Sequence, residues 1–492
     1  MAILHWSILL AGAVELFRRC GDVRRFLFVV IATLPFNGLF IEFGQRFELF
    51  KLACLLGLPI AAIQLPRMVS SGALRGLTTF AAWSLVITLI TCIYQPEYLS
   101  IPGDGIRSMG VRICLQFTLL AARFALVGMC VIALSRCADV FTCLRMWLAA
   151  TTVLAGFGLV EECCHFLGFE IGGVFYGGLL DGPTHLFQTV FGIGFKRIGS
   201  FAHEPKMLAR WLIPSIILLL TNAAAGSRLV PSRWWTSALL GLHGAALLLT
   251  FSTSGFLVFM AALAVPPLAV AWAGATSARY VFAVGSIATF LISQNSGVTE
   301  LFETVILSKS EKYDGFIQGG SDGPGILFLQ EYPWSGLWGS GVATQGHYLP
   351  EFIPPEYEFV YQNVAERGFG GFGVESGWLS LLLDTGCIGV VLLLLAILGR
   401  WTFSGRLLQR LGGRPMAGEH VDAIVLTRCL LGTCLVGMVA YPLEHAGLLA
   451  VSLGLLTAAA ANADRFMVRS ARAAGATPTS ISLEHIKARR CA

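Results

Sequence analysis

Residues Gly377–Leu398 read GWLSLLLDTGCIGVVLLLLAIL. Asp384 is the only charge in this run. At 1.5 Å per helical residue the run crosses the ~30 Å hydrocarbon core of a bilayer. Runs of the same kind recur on both sides of it. They fall near Phe26–Phe43, Leu49–Leu65, Leu77–Tyr94, Cys114–Leu134, Phe141–His165, Leu208–Ala224, Trp234–Phe251, Gly255–Ala271, Tyr280–Ser293, Ala423–Tyr441 and Gly447–Ala463. The chain is 55% hydrophobic and 13% charged over 492 residues, far from the balance of a soluble domain. The expected fold class is therefore an all-α polytopic membrane protein of about twelve transmembrane helices.

Ahead of these runs lies Ile3–Phe17, with no basic residue before it and Arg18 and Arg19 just after. A signal peptide has the opposite charge order, so residues 1–25 read as a short extra span or an interfacial helix. Alternation of the spans then puts Arg18, Arg19, Arg24, Arg25, Arg67, Arg75, Arg136, Arg228, Arg233, Arg279, Arg400, Arg406, Arg410 and Arg414 on one side. That side is expected to be cytoplasmic. The net charge of +5 is spread over these loops and the tail, which fits membrane topology and not nucleic-acid binding. Residues 26–294 form a bundle with an outer loop at 166–206, and 376–464 supply the C-terminal helices. The Ala-, Ser- and Arg-rich tail 465–492 has a composition that predicts disorder. The thirteen cysteines lie in or beside apolar runs, except one near the C-terminus, without zinc-site spacing. They read as small apolar residues.

One long polar interruption remains, Asn295–Glu375, on the outer side. It is rich in aromatics, including Tyr332, Trp334, Trp338, Tyr348 and Tyr361, and in acids, including Glu300, Asp314, Asp322, Glu351 and Glu366. Loops this long are usually functional or disordered, and so many aromatics argue against disorder. Aromatic faces beside carboxylates suit a sugar, whose C–H faces stack and whose hydroxyls need acceptors. A small cap that folds on itself is the bland alternative.

The candidate chemistry lies around this loop. Lys196-Arg197-Ile198-Gly199-Ser200-Phe201-Ala202-His203-Glu204-Pro205-Lys206 leads into a helix at the outer surface, where a helix start with nearby cations favours an anion. Glu204 is either a functional carboxylate or a helix-start acid. Arg210 lies one turn inside the helix and Arg123 near the middle of its span. Intramembrane arginines are costly and are read as functional by default. Leu249–Gly255 joins two spans through hydroxyl residues. Tyr332–Gly341 reads as a Gly-rich turn, followed by His347. Glu375-Ser376-Gly377 opens the next span.

Taken in order, these stretches resemble the superfamily of O-antigen ligases and Wzy-type O-antigen or exopolysaccharide polymerases. Arg197–Pro205 is similar to the family's Arg, Gly/Ser-Phe, Glu-Pro stretch, and Leu249–Gly255 to its Leu-Thr-x-Ser stretch. Tyr332–Gly341 is similar to its Pro-x-x-Gly-x-Gly stretch. Glu375–Gly386 corresponds to the segment ending the large loop, where ligases carry His-Asn-x-x-Leu. This chain departs by having Thr253 where ligases carry Arg, and Glu375 where they carry His. The spelling therefore resembles the polymerases more closely.

The resemblance implies a GT-C-type glycosyltransferase in the bacterial inner membrane, with its active site facing the periplasm. Its donor would be a glycan on undecaprenyl pyrophosphate and its acceptor a sugar hydroxyl of another lipid-linked unit. Glu375 or Glu204 is the expected base. Arg197 and Arg210 are expected on phosphate, and Arg123, His203, His347, Trp338 and Tyr348 on substrate. Neither a cofactor nor a metal is implied. Membrane lipid, a flippase and a chain-length regulator are implied partners, and nucleic acid is not. An O-antigen ligase using lipid A core is one alternative. A secondary transporter using Arg123 with Glu161 or Glu162 is the other.

Overall fold

The computed structural model describes residues 2–42, 46–95, 109–169, 187–190, 193–202, 205–270, 322–353, 374–412, 417–441 and 447–473. The expected span Tyr280–Ser293 lies outside them. The helices are α1 (Ala2–Arg19), α2 (Val23–Thr33), α3 (Leu49–Ser70), α4 (Leu77–Tyr94), α5 (Met109–Ala133), α6 (Cys137–Phe166), α7 (Pro205–Ala225), α8 (Arg233–Leu249), α9 (Thr253–Ala262) and α10 (Val265–Val270). After them come α11 (Gly323–Glu331), α12 (Pro333–Trp338), α13 (Gln345–Tyr348), α14 (Gly377–Leu411), α15 (Gly418–Gly437) and α16 (Gly447–Ala473). Two short antiparallel hairpins interrupt them, β1 (Phe40–Glu42) with β2 (Arg46–Glu48), and β3 (Phe187–Val190) with β4 (Ile193–Lys196).

Among the described residues nine helices are long and apolar enough to cross a membrane: α3 to α7, the α9–α10 pair, and α14 to α16. The chain is an all-α, multi-pass membrane protein. α7, α15 and α16 form the centre, with 78%, 72% and 83% of their spanning windows buried. α3 and α4, at 33% and 28%, stand at the periphery with apolar faces turned outward. The described cysteines are free thiols, and Cys54, Cys130, Cys143, Cys429 and Cys434 are packed in the interior.

Many of the arginines gather at one end. Arg24 pairs with Asp139 at 3.3 Å, Arg228 with Glu419 at 3.3 Å, and Arg145 donates to Leu229 O at 3.0 Å. Arg400 there donates to Ala73 O and Arg75 O, at 2.6 and 3.1 Å. This is the basic end; the other is the far end.

Three expected boundaries change. The run Phe26–Phe43 is not one helix, because α2 stops at Thr33 ahead of Pro35, which lacks an N–H and disfavours helix in the residue before it. Turns through Asn37-Gly38 and the β1–β2 hairpin complete the climb to the far end. Trp234–Phe251 becomes α8, 17 residues long, closed by Phe251 at φ 44°. The tail does not lose structure after Ala463: α16 continues to Ala473. Alanine and arginine favour helix, Arg465 donates to Asn462 Oδ1 at 2.6 Å, and Phe466 stacks on His420 at 4.6 Å.

α14 carries the feature that places the large loop. Its helix breaks at Gly386, with φ 67° and ψ 179°, a conformation open to glycine. The carbonyls around the break find partners outside the helix. Leu383 O accepts from Ser340 N at 2.8 Å, Asp384 O from Gly341 N at 3.0 Å, and Thr385 O from Trp83 Nε1 at 2.7 Å. Backbone meets backbone: a Cβ on Gly386 would stand 2.3 Å from Leu337 O, and one on Gly339 2.6 Å from Asp384 O. Gln345 Nε2 ties the seam from above, reaching Asp384 Oδ1 at 2.9 Å and Ser380 Oγ at 2.9 Å.

Candidate functional site at the far end

The far end of α7 is the meeting point. α6 ends nearby and presents Glu161 and Glu162 to the segment that precedes α7. Glu161 lies 3.8 Å from Lys196 Nζ, both side chains under a tenth exposed, and its Oε2 accepts the Ser200 N–H at 3.1 Å. Glu162 Oε1 accepts the Lys196 N–H at 3.2 Å. Ser200 holds φ 49°, a strained value for a side-chain-bearing residue. Its N–H bond to Glu161 and its Oγ–H bond to Leu154 O at 2.8 Å keep it there. Phe201 follows, stacked on Phe157 at 4.2 Å.

This clamp fixes Arg197. The Ile198 N–H donates to Leu249 O at 3.2 Å, and Arg197 Nε donates to Thr250 O at 3.2 Å. Arg197 therefore stands, half-buried, over the α8–α9 turn. Ser252 caps α9 by accepting the Gly255 N–H at 3.2 Å. A Cβ on Gly255 would lie 2.7 Å from the Ala209 side chain, so this turn packs directly on α7.

Lys206 and Arg210 are four apart on α7 and share a face. Lys206 is ion-paired with Glu375. Arg210, 6% exposed, lies one turn deeper, its guanidinium carbon 4.2 Å from the Trp211 ring and 5.9 Å from the Tyr441 ring. Tyr441 closes the patch against the start of α14, where a Cβ on Gly377 would lie 2.6 Å from Tyr441 O. Trp378 N donates to Met438 O at 3.2 Å and Trp378 Nε1 to Leu435 O at 3.0 Å, locking α14 to α15.

Glu375 is not the cap of α14. Ser376 is, its Oγ accepting the Leu379 N–H at 3.3 Å. Asp322 braces the same turn: its Oδ1 accepts the Glu375 N–H at 2.7 Å and the Ser376 N–H at 2.9 Å. Burial pushes the Asp322 carboxyl above its ordinary range, against the pull of those two N–H groups and of Lys206. A cationic pair, a half-exposed carboxylate and a second, more buried carboxyl thus stand together at the far end.

The expected site residues are distributed as follows. Arg197, Arg210 and Glu375 all lie around the outer turns of α7. Arg123 is buried on α5, among α3 and α16 and beside Cys54. His203, Glu204 and the His347 side chain lie outside the described residues. Tyr348 is 6% exposed and stacked on Phe328 at 4.1 Å, inside a small core with Leu349, Val374 and Leu383. One face of its ring is thus used within the chain. Trp338 packs on Trp83, ring centroids 6.0 Å apart.

Lys206, Asp322 and Tyr441 were not singled out from the sequence. The i, i+4 spacing of Lys206 and Arg210 was a usable signal; the return of Asp322 to residue 375 was not. Arg428 also escaped notice within its apolar run. It is wholly buried, 4.2 Å from the Trp401 ring, and no guanidinium nitrogen has a hydrogen-bond partner among the described residues. It lies on the basic half of the bundle, near the Thr221–Cys429 contact.

Compared with known proteins, the chain matches no family model and no curated protein sequence.

Proposed function

We propose that this protein is a polymerase of lipid-linked oligosaccharide repeat units, acting at the far end of the bundle on the periplasmic face of the bacterial inner membrane. The observation that carries this reading is the pairing of Lys206 with Glu375 one helical turn above Arg210. It sets a carboxylate beside two cations at the end of membrane-spanning helices. A sugar carried on a lipid pyrophosphate would arrive at that level.

The reaction joins an acceptor hydroxyl to the anomeric carbon of the donor sugar, while the bond from that carbon to the pyrophosphate oxygen breaks. A base takes the hydroxyl proton, and cations offset the charge gathering on the leaving pyrophosphate. Glu375 and Glu204 are the candidate bases. Arg197 and Arg210 are the candidate phosphate ligands. Lys206 links the two tasks: moving from Glu375 to an incoming phosphate, it would free the carboxylate to accept a proton. Asp322 fixes the backbone on which Glu375 sits.

Purified lipid-linked repeat units test the assignment. Glu375→Gln keeps the size and hydrogen-bonding capacity of the side chain but cannot take the proton, so a loss of 10²-fold or more is the order of effect expected of a base. Glu204→Gln is made alongside, at equal membrane abundance. Near-normal polymer from Glu375→Gln with loss in Glu204→Gln moves the base to Glu204. Normal polymer from both ends the acid–base assignment.

A further inference from the structure

We infer that Pro333–Thr344 is a re-entrant segment, which dips into the bilayer from the far end and turns Trp334, Leu337 and Trp338 toward the hydrocarbon chains of that leaflet. The proposal stands on geometry alone and does not depend on the polymerase reading.

Depth comes from α4. Its basic end is fixed, since a Cβ on Gly76 would lie 3.0 Å from the Ala396 side chain and Arg400 reaches Ala73 O and Arg75 O at the same level. From Gly76 a helix rises 1.5 Å per residue, so Trp83 stands about 10 Å up and Thr88 about 18 Å up. The hydrocarbon core is about 30 Å thick, which leaves Thr88 about 12 Å short of its far edge. Both residues hold the loop. Val342 N donates to Thr88 Oγ1 at 2.8 Å, Trp83 Nε1 donates to Thr385 O at 2.7 Å, and the Trp83 and Trp338 rings are 6.0 Å apart. A cap resting on top of the bundle would meet α4 near Tyr94.

Non-helical backbone at this depth is tolerated only where its polar groups are satisfied by protein. The backbone N–H groups at the turn of this segment are paired in an ordered way, although Ser340 Oγ is buried without a partner among the described residues. The Gly339 N–H donates to Ser335 O at 2.8 Å, Ser340 and Gly341 donate to the carbonyls freed at the Gly386 break, and Thr344 Oγ1 donates to Gly341 O at 2.8 Å. The side chains left outside are apolar or aromatic: Trp334 is 73% exposed, Trp338 46% and Leu337 38%. Trp338 sits beside α4 through Trp83, and on the outward face of α4 Leu89 and Ile93 are 52% and 73% exposed. That face belongs to a spanning helix, so its occupant is lipid. The same occupant therefore covers Trp334 and Trp338. A water-facing loop would leave these rings exposed at a cost of about 25 cal/mol per Å² of apolar surface.

The test places a photo-reactive benzophenone amino acid at position 334, 89 or 351 of the full chain, in vesicles of phosphatidylethanolamine and phosphatidylglycerol. Position 89 is the lipid-facing reference and Glu351, an exposed carboxylate, the aqueous one. After irradiation, adducts are identified by mass spectrometry on monodisperse protein. Lipid-chain adducts at 334 should match those at 89 within about twofold and exceed those at 351 by roughly tenfold. Lipid adducts at 89 but not at 334 would overturn the proposal, as would cross-linking of 334 to a second protein in place of lipid.

Discussion

Replacing Gly386 by alanine perturbs the seam between α14 and the large loop at its tightest point. Two costs add. An alanine at φ 67° and ψ 179° sits in a region that essentially only glycine visits, which costs on the order of 1–3 kcal/mol. Its Cβ would also lie 2.3 Å from Leu337 O, 2.5 Å from Trp338 C and 2.6 Å from Gly339 N. These are backbone atoms without a rotamer to change. Relief requires the loop to shift, at about 1–3 kcal/mol for an overpacked site. The expected loss is therefore about 2–6 kcal/mol. Gly399→Ala, in the same helix, is the control. A Cβ there meets nothing within 4 Å, and replacing a helical glycine gains up to about 1 kcal/mol. Thermal unfolding in detergent micelles reads the difference. Limited proteolysis within 322–353 reads whether the loop has left the bundle. A Gly386→Ala protein that melts with Gly399→Ala and resists protease equally would refute the docking argument.

Other expectations concern the site. Arg197→Ala should lose most polymer formation and Arg197→Lys should keep part of it, because a point charge only partly replaces a bidentate phosphate contact; normal polymer from the alanine variant at equal abundance removes Arg197 from the site. Glu161→Gln leaves Lys196 buried without its counter-charge and should cost about 3–5 kcal/mol in thermal unfolding, while an unchanged melting temperature would mean that the pair does not hold the Arg197 segment. Asp322 has its carboxyl raised by burial, so the folded chain binds that proton more tightly than the unfolded one. Its contribution to stability is then greatest in acid and is lost as pH rises above the ordinary carboxylate value of about 4. Asp322→Asn should gain on the parent as pH increases from 4 to 7, and parallel melting curves across that range would contradict the shift.

The membrane class was legible because long apolar runs have few alternatives in chemistry: Leu77–Tyr94 was read with the bounds that α4 has. Single breakers act locally against the hydropathy pattern. Pro35 ends α2, although the hydropathy of Phe26–Phe43 continues across it. After Ala463 the Ala-, Ser- and Arg-rich composition predicts disorder, yet alanine propensity carries α16 on to Ala473. For the site, Arg210 and Glu375 stood out as charges beside apolar runs, and both flank the outer turns of α7. Lys206 and Asp322 did not, because their importance comes from partners 169 and 53 residues away. Nor does composition reveal depth. Tyr332–Gly341 reads as a Gly-rich turn, yet its glycines serve a close approach to a broken helix, which only the fold makes visible.

The most direct test of the polymerase function is the lipid-linked material that accumulates in cells when this protein is removed. Extraction of the undecaprenyl-pyrophosphate pool, followed by mass spectrometry of the attached glycans, distinguishes the outcomes. A missing polymerase leaves single repeat units on the lipid, with longer chains restored by the intact gene and not by Arg197→Ala. Finished polymer still held on its lipid would contradict a polymerase and point to a ligase, and an unchanged pool would contradict any role in this transfer.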